Sequence, residues 1–172
     1  MPNTLIYLLF LLSTSINVAG QKKCAFKMDT AKILANLNLE RLLSRFQSDS
    51  FIVTNKKEDI PRFLNKWLDC TTNGFSLANP GKPYQETDLI ISNLPRRQLI
   101  FLAKSKGLLV MTYLTGIGFP KRILFVQHNA NKIEDVWVGQ CFDDVDSKDK
   151  IIESIKKHKD NYEGLNTNMI YL

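Results

Sequence analysis

A chain of 172 residues with 44% hydrophobic and 23% charged residues has the balance of a folded domain with a real core, and its formal charge of +6 is only modestly basic. The Lys and Arg residues are scattered among acids rather than gathered on one element, which argues against a nucleic-acid partner. The two histidines, His128 and His158, have no metal-ligand spacing, and neither a metal nor a cofactor is expected.

The chain opens on an apolar run, Leu5–Leu12, followed by the small or polar residues Ser13–Asn17 and then Val18-Ala19-Gly20. This is the layout of a secretory signal peptide over residues 1–20, with cleavage before Gln21 and secretion, or release to a periplasm, as its consequence. The run falls short of the roughly 20 residues a spanning helix requires, so an uncleaved anchor is the weaker reading and no membrane association is expected after cleavage. The remainder, 21–172, is expected to form a single domain. It contains no Asn-x-Ser/Thr sequon.

From Asp29 the apolar spacing becomes helical. Ile33, Leu34, Leu37, Leu42 and Phe46 form one stripe, and Asp29 or Thr30 supplies an N-cap oxygen. Phe51–Thr54 reads as a connection or an edge strand. A second helix follows, with Pro61 in its first turn and Ile60, Phe63, Leu64, Trp67 and Leu68 on its buried side. The two helices are expected to form an antiparallel pair on one face of a sheet.

Thr71–Thr87 reads as a long loop, punctuated by Asn73-Gly74 and Asn79-Pro80-Gly81-Lys82-Pro83, and loops of that length often carry function. Gly81-Lys82 is not a phosphate-binding loop, because Pro83 stands where a Ser or Thr would hold magnesium. Asp88–Asn93 is a further candidate strand.

Leu94–Cys141 organises the rest. Gln98–Ala103, Leu108–Leu114, Arg122–Gln127 and Ile133–Val138 are strand-like runs separated by Lys104–Gly107, Gly116–Pro120 and His128–Lys132, each suited to a turn. They predict an antiparallel β-meander, although Pro95 and Gly107 could equally bracket a helix over the first run. In Phe142–Lys150 the four aspartates lack the Gly and distal Glu of a calcium loop. They fit a helix start instead, with Ser147 as cap, Ile151, Ile152 and Ile155 inward, and Lys156–Lys159 at the last turn. Met169–Leu172 could add a short edge strand. The fold class is therefore α+β: two N-terminal helices packed on an antiparallel meander of about four to five strands, with a C-terminal helix.

Three cysteines in an exported chain leave one over. Cys24 precedes the first helix and Cys70 ends the second, so an antiparallel helix pair brings them together, closing a loop of about 46 residues. Cys70–Cys141 is the rival pairing.

No Gly-x-Ser-x-Gly elbow or complete dinucleotide fingerprint is present, and Gly116-Ile117-Gly118 lacks the third Gly. A binding surface could draw on Arg96, Arg97, Tyr84, Tyr113 and Trp137, since Arg, Tyr and Trp dominate protein interfaces. Tyr113 and Trp137 suit a core equally well. These features predict an exported, small, non-enzymatic binding protein of the periplasmic-inhibitor or immunity kind, with a protein partner. The alternative is a small secreted hydrolase whose acid or Cys site is assembled only by the fold.

Overall fold

The four apolar runs of the meander pair in sequence order, and every other element takes its place from them. The computed structural model describes residues 24–72, 74–87, 93–116, 121–159 and 172. Its elements are α1 (Thr30–Leu34), α2 (Leu39–Ser48), β1 (Ile52–Val53), a 3₁₀ turn (Lys57–Asp59), α3 (Arg62–Thr72), β2 (Leu77–Ala78), β3 (Arg97–Ser105), β4 (Leu108–Thr115), β5 (Lys121–Asn129), β6 (Lys132–Cys141) and α4 (Lys148–His158). The proposed signal segment, most of the candidate strand at Asp88–Asn93 and the candidate edge strand at the C-terminus lie outside the described residues.

β3, β4, β5 and β6 form the antiparallel meander, and β1 and β2 both pair with the outer side of β3. β1 runs antiparallel to the end of β3, with Ile52 opposite Lys104. β2 runs parallel to its start, with Leu77 opposite Arg97. The segment bracketed by Pro95 and Gly107 is thus a strand. Its hairpin to β4 is tight because Ser105 faces Leu108 and Gly107 has φ +89°, a conformation open to glycine without strain. A Cβ there would also meet the His128 carbonyl oxygen at 3.0 Å.

The β5–β6 hairpin is equally short, with Asn129 opposite Lys132. Here the left-handed residue is Ala130, φ +48°, rather than either neighbouring Asn. A side chain in that region costs roughly 1–2 kcal/mol, of which glycine recovers the larger part after its own entropy cost. Ala130→Gly is accordingly expected to raise stability by about 0.5–1 kcal/mol, read as a higher denaturant midpoint at unchanged slope. A lower midpoint would contradict the strained turn. One residue further along β6, a register shift between Gln127 and His128 interrupts the alternation expected over Ile133–Val138.

Alternation along the strands, shifted there and again at the irregularity between Leu99 and Phe101, gives the sheet two apolar faces. Phe46 of α2 sits on one of them, its ring 6.5 Å from Phe101 and 5.4 Å from Phe125, and Phe125 lies 5.8 Å from Trp137. α4 packs on the same face. Its Lys148 Nζ lies 5.5 Å from both the Phe46 and Phe51 rings and donates to the Gln47 carbonyl at the end of α2. Ser147 holds the N-cap position of α4 without a side-chain capping bond.

α3 covers the opposite face. Phe63 meets the His128 ring at 5.3 Å, and Lys104 donates to the Asp59 carbonyl in the preceding turn. The expected pair of N-terminal helices therefore straddles the sheet instead of sharing one face. The burial of both sides explains why β4 and β5 are apolar almost throughout.

The first helix is also broken. Asn36 adopts φ +54°, a conformation Asn tolerates, and its side-chain oxygen accepts from Trp137 Nε1 at 2.9 Å. Asp29 caps α1 as expected, accepting from the Lys32 N–H at 3.0 Å. The break turns Leu37 out of the predicted stripe, leaving it 74% exposed, while Ile33, Leu42 and Phe46 stay buried.

Cys24 is joined to Cys70, Cα atoms 5.7 Å apart. The contact arises because residues 24–28 lie against α3, where Trp67 donates to the Phe26 carbonyl at 3.0 Å and the two rings meet at 6.2 Å. Among the described residues, no helix is long and apolar enough to cross a membrane.

Candidate functional site

β3, β4 and β5 bring three polar side chains to one end of the α3-side face. Leu99 stands opposite Tyr113, and Tyr113 opposite Arg122, so the last two share a row across the sheet. Arg97, opposite Thr115, lies one step further toward the sheet end on the same face. Tyr113 is fully buried and Arg122 nearly so, while Arg97 is half-buried.

Phe75, just beyond α3, joins the group from outside the sheet. Its ring meets Tyr113 edge-on at 5.5 Å, and the Arg97 guanidinium carbon lies 4.6 Å from its centroid. Gly74 and Phe75 are fixed there by Asp69, whose carbonyl and side chain accept their backbone N–H groups at 2.9 Å.

The hydrogen bonding is lopsided. Arg97 Nη2 donates to the main-chain oxygen of Leu172 at 2.6 Å, but Arg97 Nε and Nη1 and the Tyr113 hydroxyl are buried with no acceptor among the described residues. Neither residue forms an ion pair with a described Asp or Glu side chain. Burial pushes the Tyr113 phenol up to about 12 against the opposing pull of Arg97 and Arg122, so at neutral pH it is a neutral hydroxyl able to donate. Burial also lowers the Arg97 pKa, partly offset by Tyr113. Buried donors of this kind carry a desolvation cost that an acceptor would relieve.

The long loop closes one side of this end. Gln98 donates to the Lys82 carbonyl at 2.7 Å, and Gln85 N–H donates to the Pro95 carbonyl at 2.7 Å. Gly116 at the end of β4 is required for that approach, since a Cβ would stand 2.0 Å from the Gln85 carbonyl oxygen.

Of the five binding candidates read from the sequence, Arg97 and Tyr113 come together here. Tyr84 is buried in the loop, with its phenol pKa raised by burial and then by Glu86. Arg96 is exposed, its backbone N–H donating to Ser76 Oγ at 2.9 Å. Trp137 lies on the other face, in the core against Phe125. Arg122 and Phe75 were not singled out. The readable signal for Arg122 was its place in the alternation Arg122, Leu124, Val126, which puts a charge on an apolar face.

Two other polar groups are built differently. Asp135 accepts from Lys32 and Asn38, each at 2.9 Å, from the Val136 N–H and from Arg41. Burial works to raise its pKa, yet the bonds from Lys32 and Asn38 prevail and hold the carboxyl below the usual range. This group ties α1 and α2 to β6. At the other end of β6, Asp143 accepts from Ser154 at 3.0 Å and Lys157 at 3.2 Å and pairs with His158 at 2.8 Å. Burial raises the adjacent Cys141 thiol to about 11, so it is neutral at physiological pH.

Compared with known proteins, the chain matches no protein-family model, no curated protein and no solved structure.

Proposed function

We propose that the chain is an exported, non-enzymatic binding protein acting on a protein partner, in the manner of a periplasmic inhibitor or immunity protein. The observation that carries this reading is the Arg97–Tyr113 group, in which Arg97 Nε, Arg97 Nη1 and the Tyr113 hydroxyl are buried with no acceptor among the described residues, at the end of the sheet where the long loop packs. The Cys24–Cys70 bridge supports an oxidising destination. The dispersal of basic side chains into ion pairs, such as Lys32–Asp135, Lys121–Asp144 and Lys159–Glu40, supports a partner other than nucleic acid.

The hydrolase alternative would draw on Cys141, Ser154, Asp143 and His158. Its chemistry is poorly served: the thiol is held neutral and the Ser154 hydroxyl donates to Asp143 rather than to an imidazole. Glu58, Asp135, Asp143 and Asp144 are held below the usual carboxylate range, the opposite direction from a general acid at neutral pH.

The test is capture of a partner from native extract by the exported protein and by a variant carrying Arg96→Ala and Arg97→Met. The variant is expected to capture less at an unchanged circular dichroism spectrum. Equal capture would remove this end of the sheet from the binding surface.

A further inference from the structure

Resting on the reading of a protein partner, we infer that the β1 edge of the sheet docks an extended, acidic segment of that partner, which joins β1 as a further strand. The pairing with β3 fixes which backbone groups are open. Ile52 stands opposite Lys104, and the Thr54 N–H donates to the Leu102 carbonyl at 3.0 Å. Ile52 and Thr54 therefore turn toward β3, and alternation points the Val53 N–H and carbonyl outward. No described residue bonds to the Val53 backbone. The side chains are open as well, Ile52 71% exposed and Val53 51%, on opposite faces of the sheet. The other edge of the sheet is closed to a strand in its middle. There the Val136 N–H donates to Asp135 Oδ1 and the Val136 carbonyl accepts from Asn38 Nδ2, each at 3.0 Å.

The charge around β1 selects the occupant. Lys104 lies opposite Ile52, Lys106 follows it in the hairpin, and Lys56 and Lys57 follow β1 in the chain. None of these lysines forms an ion pair with a described Asp or Glu side chain, and Lys104 donates instead to the Asp59 carbonyl. The nearby acids are engaged elsewhere, Asp49 by Arg45 at 3.2 Å and Glu58 by Asn79 at 3.0 Å, which leaves Asp59 against the lysines. A second copy of this chain would set the same lysines against each other, and like charges on facing strands oppose pairing. An acidic strand meets them with opposite charge while its own side chains cover Ile52 and Val53. Val53 offers only one donor and one acceptor, so the lysines carry much of the affinity, and salt weakens it.

The experiment follows amide hydrogen exchange of the full exported chain by NMR while a short, end-blocked peptide of alternating glutamate and valine is added. The free chain is expected to exchange the Val53 amide rapidly. The peptide is expected to slow that exchange saturably, by about tenfold or more, without new protection along β6. Replacing each glutamate of the peptide by lysine, or N-methylating its valines, is expected to abolish the effect, and added salt to weaken it. A chain carrying Lys56→Glu and Lys106→Glu is expected to prefer the lysine peptide at an unchanged circular dichroism spectrum. Should that chain fail to fold, Lys106→Gln alone is expected to weaken binding of the acidic peptide. A Val53 amide already protected in the free chain, no response to the acidic peptide, or equal response to both peptides overturns the inference. Self-association of the chain that protects Val53 without peptide overturns it too. Partner capture that persists where peptide binding is absent removes this inference alone, whereas peptide binding by a chain that captures no partner removes the protein-partner reading alone.

Discussion

Replacing Trp67 with Ala is expected to destabilise the domain by about 3–5 kcal/mol, the range for truncating a buried large aromatic. Trp67 is 2% exposed and belongs to the same core as Leu64 and Leu68 of α3. Three separate losses combine. The side chain's buried area goes, its edge-on contact with Phe26 at 6.2 Å goes, and the Phe26 carbonyl loses its indole donor. The effect should exceed that of Phe63→Ala, because Phe63 is only partly buried. Urea unfolding followed by circular dichroism measures the difference, and a midpoint within error of wild type would place Trp67 outside the core.

Removing the bridge with Cys24→Ser and Cys70→Ser is expected to cost roughly 4 kcal/mol by the chain-entropy relation, for a separation of 46 residues. Besides the bridge, the Trp67–Phe26 hydrogen bond and ring pair hold residues 24–28 to α3. The loss should therefore appear first as weakened protection of Phe26 and of the α3 residues around Trp67. Reductant should lower the unfolding midpoint of wild type and leave the double variant unaffected. An equal midpoint for the two proteins, with and without reductant, would show that the bridge contributes nothing. Cys141→Ser serves as the contrast, since Cys141 lies outside the bridge in a buried site beside Ser154.

The four long strands were legible because their signals are local. Two-residue turns at Lys106-Gly107 and Ala130-Asn131 separate β-branched and aliphatic runs, and the structure extends each predicted strand by only one to three residues at an end. The break at Asn36 was hidden, because Leu34 and Leu37 continue the helical stripe as well as buried residues would. The left-handed backbone of Asn36 and the tertiary bond from Trp137 to its side chain distinguish them. The face covered by α3 was equally unreadable. A stripe of Leu64, Trp67 and Leu68 says that the helix is buried, not which side of a sheet buries it.

The cysteine pairing was predicted by an argument about helix ends. It holds for another reason, the packing of residues 24–28 on α3 from the opposite side of the sheet. β2 escaped notice because two residues carry no periodicity. At the candidate site, Arg97 and Tyr113 were chosen by residue type alone. Their convergence depends on the register of β3 against β4 and on Phe75 arriving from the end of α3, a long-range juxtaposition that residue types do not encode.

The proposed role depends on the protein leaving the cell as a domain stapled by Cys24 and Cys70 and ending, at its start, near Gln21. Non-reducing peptide mapping of the protein released by its native host tests this in one measurement. The expected result is an N-terminus at or near Gln21, a linked pair of peptides containing Cys24 and Cys70, and a Cys141 thiol that reacts with alkylating reagent only after unfolding. Retention of Met1–Gly20 in a membrane fraction, three free thiols, or a linked peptide containing Cys141 would contradict it.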